Sequence, residues 1–437
     1  MKLAEIPKKV FLRILSKIHR CREAYYASRM YRRMVQVPKF ARLRKKEKIS
    51  VLFIVCAHSM WKADSLYKAM RASSRFEVEI LVVPNVSFKN EELRAQELQN
   101  TRRFFDAAGY HYVEWCDANG NTPYKKIPPQ YDLLFYPQPW AGLIPQPLDF
   151  PNNLGRLMVC CEYAFHSGNQ KWAYNKWYQN AAILDIYENE ATHRLSLQQK
   201  SNKGVNSVVC GLPIMDEFHR SSYASPWKQC DQPCKKIIWA PHWSIDEKSC
   251  ALPPYSNFLE MAGMMLNLAK STQGQLQFAF KPHPFLIREL YKHPDWGKEK
   301  TDRYYAEWEH GANTQLELGA YVELFMTSDA MVHDSSSFCC EYMLTGNPVL
   351  FMARNAERQT SCLNEMALAG FSAQYMGHSL EDVSRFISEQ VLQQNDFKKE
   401  IRAEFVNKYL SVPNNASAAL NIIEAILGES LSMRGYN

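Results

Sequence analysis

The residues whose types and spacing suit chemistry collect in short polar turns that interrupt apolar runs. The richest stretch runs from Ser328 to Phe351. It reads as a buried strand (Ala330-Met331-Val332), a turn (His333-Asp334-Ser335-Ser336-Ser337), a helix from Phe338 to Leu344, and a second strand after Gly346-Asn347-Pro348. Ser and Asp where a strand hands over to a helix are N-cap residues. The start of a helix offers unpaired backbone N–H groups and the positive end of its dipole, which suits a phosphate or diphosphate. Glu341, one turn further in, is expected to reach ribose hydroxyls, and His333 either contacts a second phosphate or caps the helix together with Asp334. The stretch predicts a nucleotide-diphosphate cradle at the C-terminal edge of a parallel sheet. A second turn, Lys281-Pro282-His283-Pro284, ends the apolar run Leu276 to Phe280. Flanking prolines hold His283 at a strand end, where an imidazole suits a phosphate contact or a proton donor. His58 and Ser59, after the first apolar strand, are expected to line an acceptor side.

These turns need strands and helices to position them, and the chain supplies an alternating pattern. Ile49-Ser50-Val51-Leu52-Phe53-Ile54-Val55 is a continuous apolar strand of the kind buried in a parallel sheet. Strands follow near Phe76 to Val83, Tyr110 to Trp115, Asp132 to Tyr136, Leu157 to Cys161, Ala182 to Tyr187 and Val205 to Cys210, with helices such as Glu91 to Ala108 between them. A polar segment to Cys234 reads as a linker. A second unit starts at Lys235, with strands at Ile237 to Ala240, Leu276 to Phe280 and Ala320 to Leu324, and helices at Tyr255 to Ala269, Leu380 to Gln394 and Ala416 to Leu427. Met264, Met265 and Phe325 read as core. The β–α alternation predicts α/β architecture with doubly wound sheets, two Rossmann-like halves facing a cleft. The expected division is an arm at 1–48, an N-terminal acceptor domain at 49–225, a C-terminal nucleotide-donor domain at 226–415, and a closing helix at 416–437.

Composition narrows the class. A chain of 437 residues with 46% hydrophobic and 22% charged residues is globular and long enough for two domains. No run approaches about 18 apolar residues, which predicts no transmembrane helix. The N-terminus lacks a signal-peptide core, and the twelve cysteines are scattered, with Cys160-Cys161 and Cys339-Cys340 adjacent, so a cytoplasmic, reduced protein is expected. Cys230 to Cys234 has no second Cys/His pair to complete a zinc site. Residues 1–48 hold 16 Lys+Arg against 3 Asp+Glu, a net of +13, whereas the remainder is net −6. Within the arm, Ile6, Val10, Ile14 and Ile18 share one helical face with Phe11 and Leu15 beside them, and Lys and Arg fill the other. Such a basic amphipathic helix suits an anionic membrane surface, each cation adding about 1 kcal/mol there. Nothing else suggests a nucleic-acid groove.

Three motifs together resemble the CDP-glycerol glycerophosphotransferase family, the membrane-peripheral polymerases of teichoic acids and related capsules. The family's W-A-P-T-like element is similar to Trp239-Ala240-Pro241-His242, with His242 where threonine is usual. Its [R/K]-x-H-P motif matches Lys281 to Pro284. Its T-S-D-Y-S-S-x-x-x-[D/E]-Y element matches Thr327-Ser328-Asp329, Ser335-Ser336-Ser337 and Glu341-Tyr342, with His333-Asp334 where Asp-Tyr is usual. Gly211-Leu212-Pro213 with Asp216 fits a G-x-P-x-x-D turn, and His166-Ser167-Gly168 aligns with the family's His-Gly element through an inserted serine. The resemblance implies a GT-B fold, a CDP-linked alcohol donor, a glycan or polyol-phosphate polymer acceptor, and His166 as general base. It implies catalytic roles for His166 and His283, with Lys281, His333, Asp334, Ser335, Ser336, Ser337, Glu341, Pro241 and His242 around the nucleotide diphosphate. No metal site and no cofactor are required, and Mg²⁺ is admissible. The expected product is transferred polyol phosphate plus CMP, made on the inner face of the cell membrane. A nucleotide-sugar glycosyltransferase on the same fold and a non-catalytic tethered scaffold are the alternatives.

Overall fold

The computed structural model describes residues 8–137, 140, 142–230, 232–246, 255–335, 338–413 and 417–428, with side chains from residue 16 onward. The chain divides into two units. Unit 1 takes the chain up to Tyr163, Gln170–Ile214 and the segment from Val412; unit 2 takes Ala164–Asn169 and Met215–Ser411.

In unit 1 the apolar runs become β1 (Ile49–Val55), β2 (Phe76–Val82), β3 (Tyr112–Glu114), β4 (Leu133–Tyr136), β5 (Leu157–Cys161), β6 (Leu184–Tyr187) and β7 (Ser207–Val209). They form a parallel sheet in the order β3-β2-β1-β4-β5-β6-β7. The winding reverses between β1 and β4, so their C-terminal ends open the crevice where such sheets take ligands. Phe53 of β1 stacks on Phe135 of β4 at 4.7 Å between ring centroids, which locks this central pair. A buried cation stiffens the far side. Lys200 Nζ donates to Asp185 Oδ2 at 2.7 Å, to Asn206 Oδ1 at 2.9 Å and to the Gln179 carbonyl at 3.2 Å.

Unit 2 contributes β8 (Lys235–Ala240), β9 (Leu276–Phe280), β10 (Thr314–Leu316), β11 (Ala330–His333), β12 (Val349–Met352) and β13 (Tyr375–Gly377). The parallel order is β10-β9-β8-β11-β12-β13, with its reversal between β8 and β11. Both sheets therefore carry the doubly wound order expected of a GT-B chain. Under the strand ends Trp239 stacks on Phe280 at 5.0 Å and Phe280 on Trp308 at 5.2 Å. Trp239 stands two residues before Pro241 and Phe280 directly before Lys281, so the aromatic core fixes where both turns begin.

Several elements differ from expectation. Ala320 to Leu324 is not a strand; the helix Val322–Met326 stands there, because Tyr321, Val322, Leu324 and Phe325 repeat at helical spacing with Glu323 outward. The helix after the Ser-rich turn covers only Phe338–Glu341 and tightens into a 3₁₀ turn, Tyr342–Thr345. Gly346 ends it at φ +73, a conformation that favours glycine. Met264 is 39% exposed, whereas Met265 and Phe325 are core as expected.

The basic N-terminal segment is helical over Lys8–Tyr26 and again over Val37–Arg44. From Arg32 onward four of its cations, Arg32, Lys39, Arg44 and Lys46, are tied to groups elsewhere in unit 1. Arg32 Nη1 donates to the Ile183 carbonyl at 2.8 Å and Lys39 Nζ to that of Gly155 at 2.9 Å; Arg44 caps the Ala425 and Ile426 carbonyls. Ile6 and Pro7, and the side chains of Val10, Phe11, Ile14 and Leu15, lie outside the described residues. Among the described residues no helix is long and apolar enough to cross a membrane, and every cysteine is a free thiol.

Lys200→Met leaves the Asp185 carboxylate buried without its cation, and is expected to lower the stability of unit 1 by about 3–5 kcal/mol. Urea unfolding followed by far-UV circular dichroism checks this, and the double variant Lys200→Met/Asp185→Leu should recover most of the loss.

Candidate active site

The C-terminal edge of the unit 2 sheet gathers the polar turns at the point where the winding reverses. β8 delivers Pro241 and His242, β9 delivers Lys281 and His283, and β11 delivers His333, Asp334 and Ser335. The His283 N–H donates to the Pro241 carbonyl at 3.0 Å, which ties the two neighbouring turns together. The rings of His242 and His283 meet with centroids 5.3 Å apart. Both are half-buried.

Their tautomers follow from their neighbours. His283 Nδ1 accepts the Phe285 N–H at 3.1 Å, and His242 Nδ1 accepts the Ser244 N–H at 3.2 Å. Each neutral ring therefore carries its proton on Nε2, aimed away from its own turn. Burial pushes His242 down to about 3 and holds His283 well below the usual imidazole range, with the neighbouring His242 ring adding to the shift. Near neutral pH the pair offers two uncharged N–H donors.

Asp334 fixes this geometry rather than reaching for a ligand. Its Oδ1 accepts the His242 N–H at 2.6 Å and its Oδ2 accepts the Asn257 N–H at 2.7 Å. Burial raises its pKa to about 7 against the downward pull of those two amides. Asn257 also donates from Nδ2 to the Met352 carbonyl at 2.9 Å, and Arg354 Nη1 holds the Ile245 and Ser256 carbonyls at 2.9 Å each. Asn257 and Arg354 had no signal in the sequence beyond being polar residues in loops.

His333 is inside the fold, with both ring nitrogens engaged. Nδ1 accepts the Ser335 N–H at 3.2 Å, and the Nε2 proton points to Gln374 Oε1 at 2.6 Å. Burial pushes its pKa down to about 4. Its expected contact with a second phosphate is thus replaced by a structural one, and the Ser335 amide expected for the diphosphate is spent on the ring. Ser336 and Ser337 lie outside the described residues. Glu341 faces inward and is buried, accepting the Tyr321 hydroxyl, so the structure gives it a partner within the fold in place of ribose.

Lys281 sits beside that pair. Its ammonium lies 5.5 Å from the Tyr321 ring centroid and donates to the Gly319 carbonyl at 2.9 Å. Burial lowers its pKa to about 8, opposed by the carboxylates of Glu317 and Glu341. His166 belongs to the short excursion that joins unit 2. The Asn364 side-chain amide donates to the His166 carbonyl, the Asn364 N–H donates to that of Ser167 at 2.9 Å, and Gly168 forms an antiparallel bridge with Leu363. The structure therefore brings together His242 with His283 and Asp334, and Lys281 with Glu341, while His166 is set by a separate loop near the helix Glu365–Ser372. In unit 1, His58 packs under the helix Glu91–Ala107, its Nδ1 3.4 Å from Glu97, rather than lining a free edge. Among the described residues no group of His, Cys, Asp and Glu is arranged to hold a metal ion.

Comparisons agree with this architecture. A model of the family described as CDP-glycerol:poly(glycerophosphate) glycerophosphotransferase matches residues 197–428. A solved structure of the wall teichoic acid polymerase TagF is 14% identical with a TM-score of 0.52, covering 97% of this chain and 98% of that one. A UDP-N-acetylglucosamine 2-epimerase structure is also 14% identical with a TM-score of 0.53, covering 87% of this chain and 96% of that one. At such identities the structural likenesses bear on the fold alone. A search of the curated proteins returns no match.

Asp334→Asn places an amide N–H where the carboxylate received a backbone donor, leaving at least one buried N–H unsatisfied. The expected loss is about 1–3 kcal/mol of unit 2 stability, read as a lower urea midpoint together with faster hydrogen exchange at His242 and Asn257.

Proposed function

Because the chain belongs to the CDP-glycerol:poly(glycerophosphate) glycerophosphotransferase family and is thereby a phosphotransferase, we propose that it moves glycerol phosphate from CDP-glycerol to a hydroxyl of a cell-surface glycan or polyol-phosphate polymer. The acceptor oxygen attacks the β-phosphorus, the bond from that phosphorus to the bridging oxygen breaks, and CMP leaves with the bonding pair. His166 takes the hydroxyl proton. The observation that carries the reading is the His242–His283 pair at the strand ends. Two neutral N–H donors held by packing suit the diphosphate oxygens, where charge builds on the departing CMP. His283 is read as a phosphate contact, because its Nδ1 is occupied by the Phe285 N–H and its Nε2–H is left to donate. Lys281 supplies positive charge up to about its own pKa of 8. No metal ion is needed, and Mg²⁺ on the diphosphate is compatible.

Incubation with CDP-glycerol, CDP-ribitol and UDP-sugars, followed by chromatography of the nucleotides, tests the proposal. CMP from CDP-glycerol is the expected product; UDP release instead would mean a glycosyltransferase. His283→Ala should lower kcat/KM by about 100-fold or more, and a rate within a few-fold of the parent would remove the histidine from the mechanism.

The reaction is proposed to run at the cytoplasmic face of the membrane. Met30, Met34 and Val37 leave apolar side chains exposed over a short stretch, with Met34 70% exposed, beside Arg29 and Arg33. Exposed apolar side chains flanked by cations suit an anionic bilayer. Replacing Met30 and Met34 with aspartate should abolish cosedimentation with phosphatidylserine vesicles while turnover of a water-soluble acceptor is unchanged.

A further inference from the structure

In unit 1, the loops after β4 and β5 carry two tryptophans that the protein leaves in water. Trp172 is 53% exposed and Trp140 is 37% exposed. Large apolar rings left at a surface mark interaction sites more often than single aliphatics do. These two are also organised. The Lys176 ammonium lies 3.7 Å from the Trp140 ring centroid and 5.9 Å from that of Trp172. Glu162 Oε1 lies 3.5 Å from the same ammonium and accepts from Gln179 Nε2 at 3.2 Å. The lysine therefore acts as a fixed pin between the indoles, and its charge is already met by Glu162.

Glu162 also lines an open pocket at the C-terminal ends of β4 and β5, with about 250 Å³ of empty space including the part open to solvent. Phe135 and Leu212 form apolar wall, and Lys62, only 7% exposed, adds a cation. The pocket stands beside the β1/β4 reversal, the position at which doubly wound sheets take ligands.

We infer that Trp140 and Trp172 form a stacking shelf for a pyranose ring of the acceptor, whose end group enters the pocket lined by Lys62 and Glu162. This deepens the transferase reading and rests on it for the identity of the ligand as acceptor. A pyranose presents one face of C–H groups with slight positive charge, and the electron-rich face of an indole complements it. On the shelf the Lys176 cation is met by Glu162, so a pyranose can stack on the indole faces while the Lys62 cation of the adjoining pocket meets its polar end group. The acceptor class that follows is a glycan containing hexose units, as opposed to a bare polyol-phosphate chain.

Full-length protein is titrated with maltose, cellobiose and N,N′-diacetylchitobiose while tryptophan emission is recorded. At least one disaccharide should give a saturable change. Trp172→Ala and Trp140→Ala should each weaken it by about tenfold, and Trp172→Phe should keep most of it. The shelf is overturned if no disaccharide gives a saturable change, or if Trp172→Ala binds as the parent does. It is also overturned if the two alanine variants lose vesicle cosedimentation instead of sugar binding, which would assign the indoles to the membrane. If the parent protein itself releases no CMP, the transferase reading fails, and the saccharide titration still decides whether the shelf exists.

Discussion

Two backbone N–H groups converge on the buried carboxylate of Asp334, and the geometry of the whole strand-end site depends on that junction. The first comes from His242, at the end of β8; the second comes from Asn257, one residue before the helix Phe258–Ser271. One side chain after β11 thereby sets both ends of the loop that leaves β8. Without it the His242 turn has no fixed relation to β11, and through the Pro241 carbonyl the His283 turn would lose its reference as well. The two amides offset part of the cost of burying the anion, and burial still raises its pKa to about 7. The structure spends its acidic residue on architecture, beside two imidazoles that carry no charge.

That choice shapes the electrostatics of the site. A diphosphate brings concentrated negative charge, yet the nearest imidazoles are held neutral by burial. Fixed dipoles in a poorly hydrated setting stabilise charge without reorganising, and they avoid the cost of burying an uncompensated cation. Lys281 is the exception. Its surroundings include Glu317 and Glu341, so its cation is supported within the fold before any ligand arrives. Tyr321 links that support to the β11 side by donating to Glu341.

Much of this was legible in the residues. Continuous apolar runs such as Ile49 to Val55 announce strands buried on both faces, and their alternation with helices announces parallel sheets wound in both directions. The K-P-H-P turn is legible because prolines at a strand end leave few conformations for the histidine between them. The direction of a side chain is harder to read. Glu341 ends the helix Phe338–Glu341 and His333 ends β11, and both side chains face inward, where Tyr321 and Gln374 meet them. Those partners are 20 and 41 residues away, and no local pattern encodes the pairing. The helix Val322–Met326 was misread because five residues rich in Val, Leu and Phe fit a short strand as well as one turn of helix. Trp140 follows β4, Trp172 lies in the short helix Lys171–Tyr174 after β5 and Lys176 just beyond it, and they become a group only when β4 and β5 lie side by side.

The helix Ala418–Leu427 packs against the helix Asp64–Ala72, and Asn421 Nδ2 reaches the Cys210 carbonyl at 3.0 Å. Arg44 holds the carbonyls at its end. Unit 1 thus begins first and closes last. On the ribosome the Met215–Ser411 part of unit 2 emerges between Ile214 and Val412, an interval of roughly 10–40 s at ordinary elongation rates. Throughout it, the surface that Ile422 and Ile426 will cover waits open. Unit 2 can finish while its neighbour is still incomplete, except that it must collect residues 164–169 from a part of the chain already made. The nascent protein therefore carries an unsealed apolar face for nearly half of its synthesis, so the order in which the chain emerges exposes it before equilibrium stability can act.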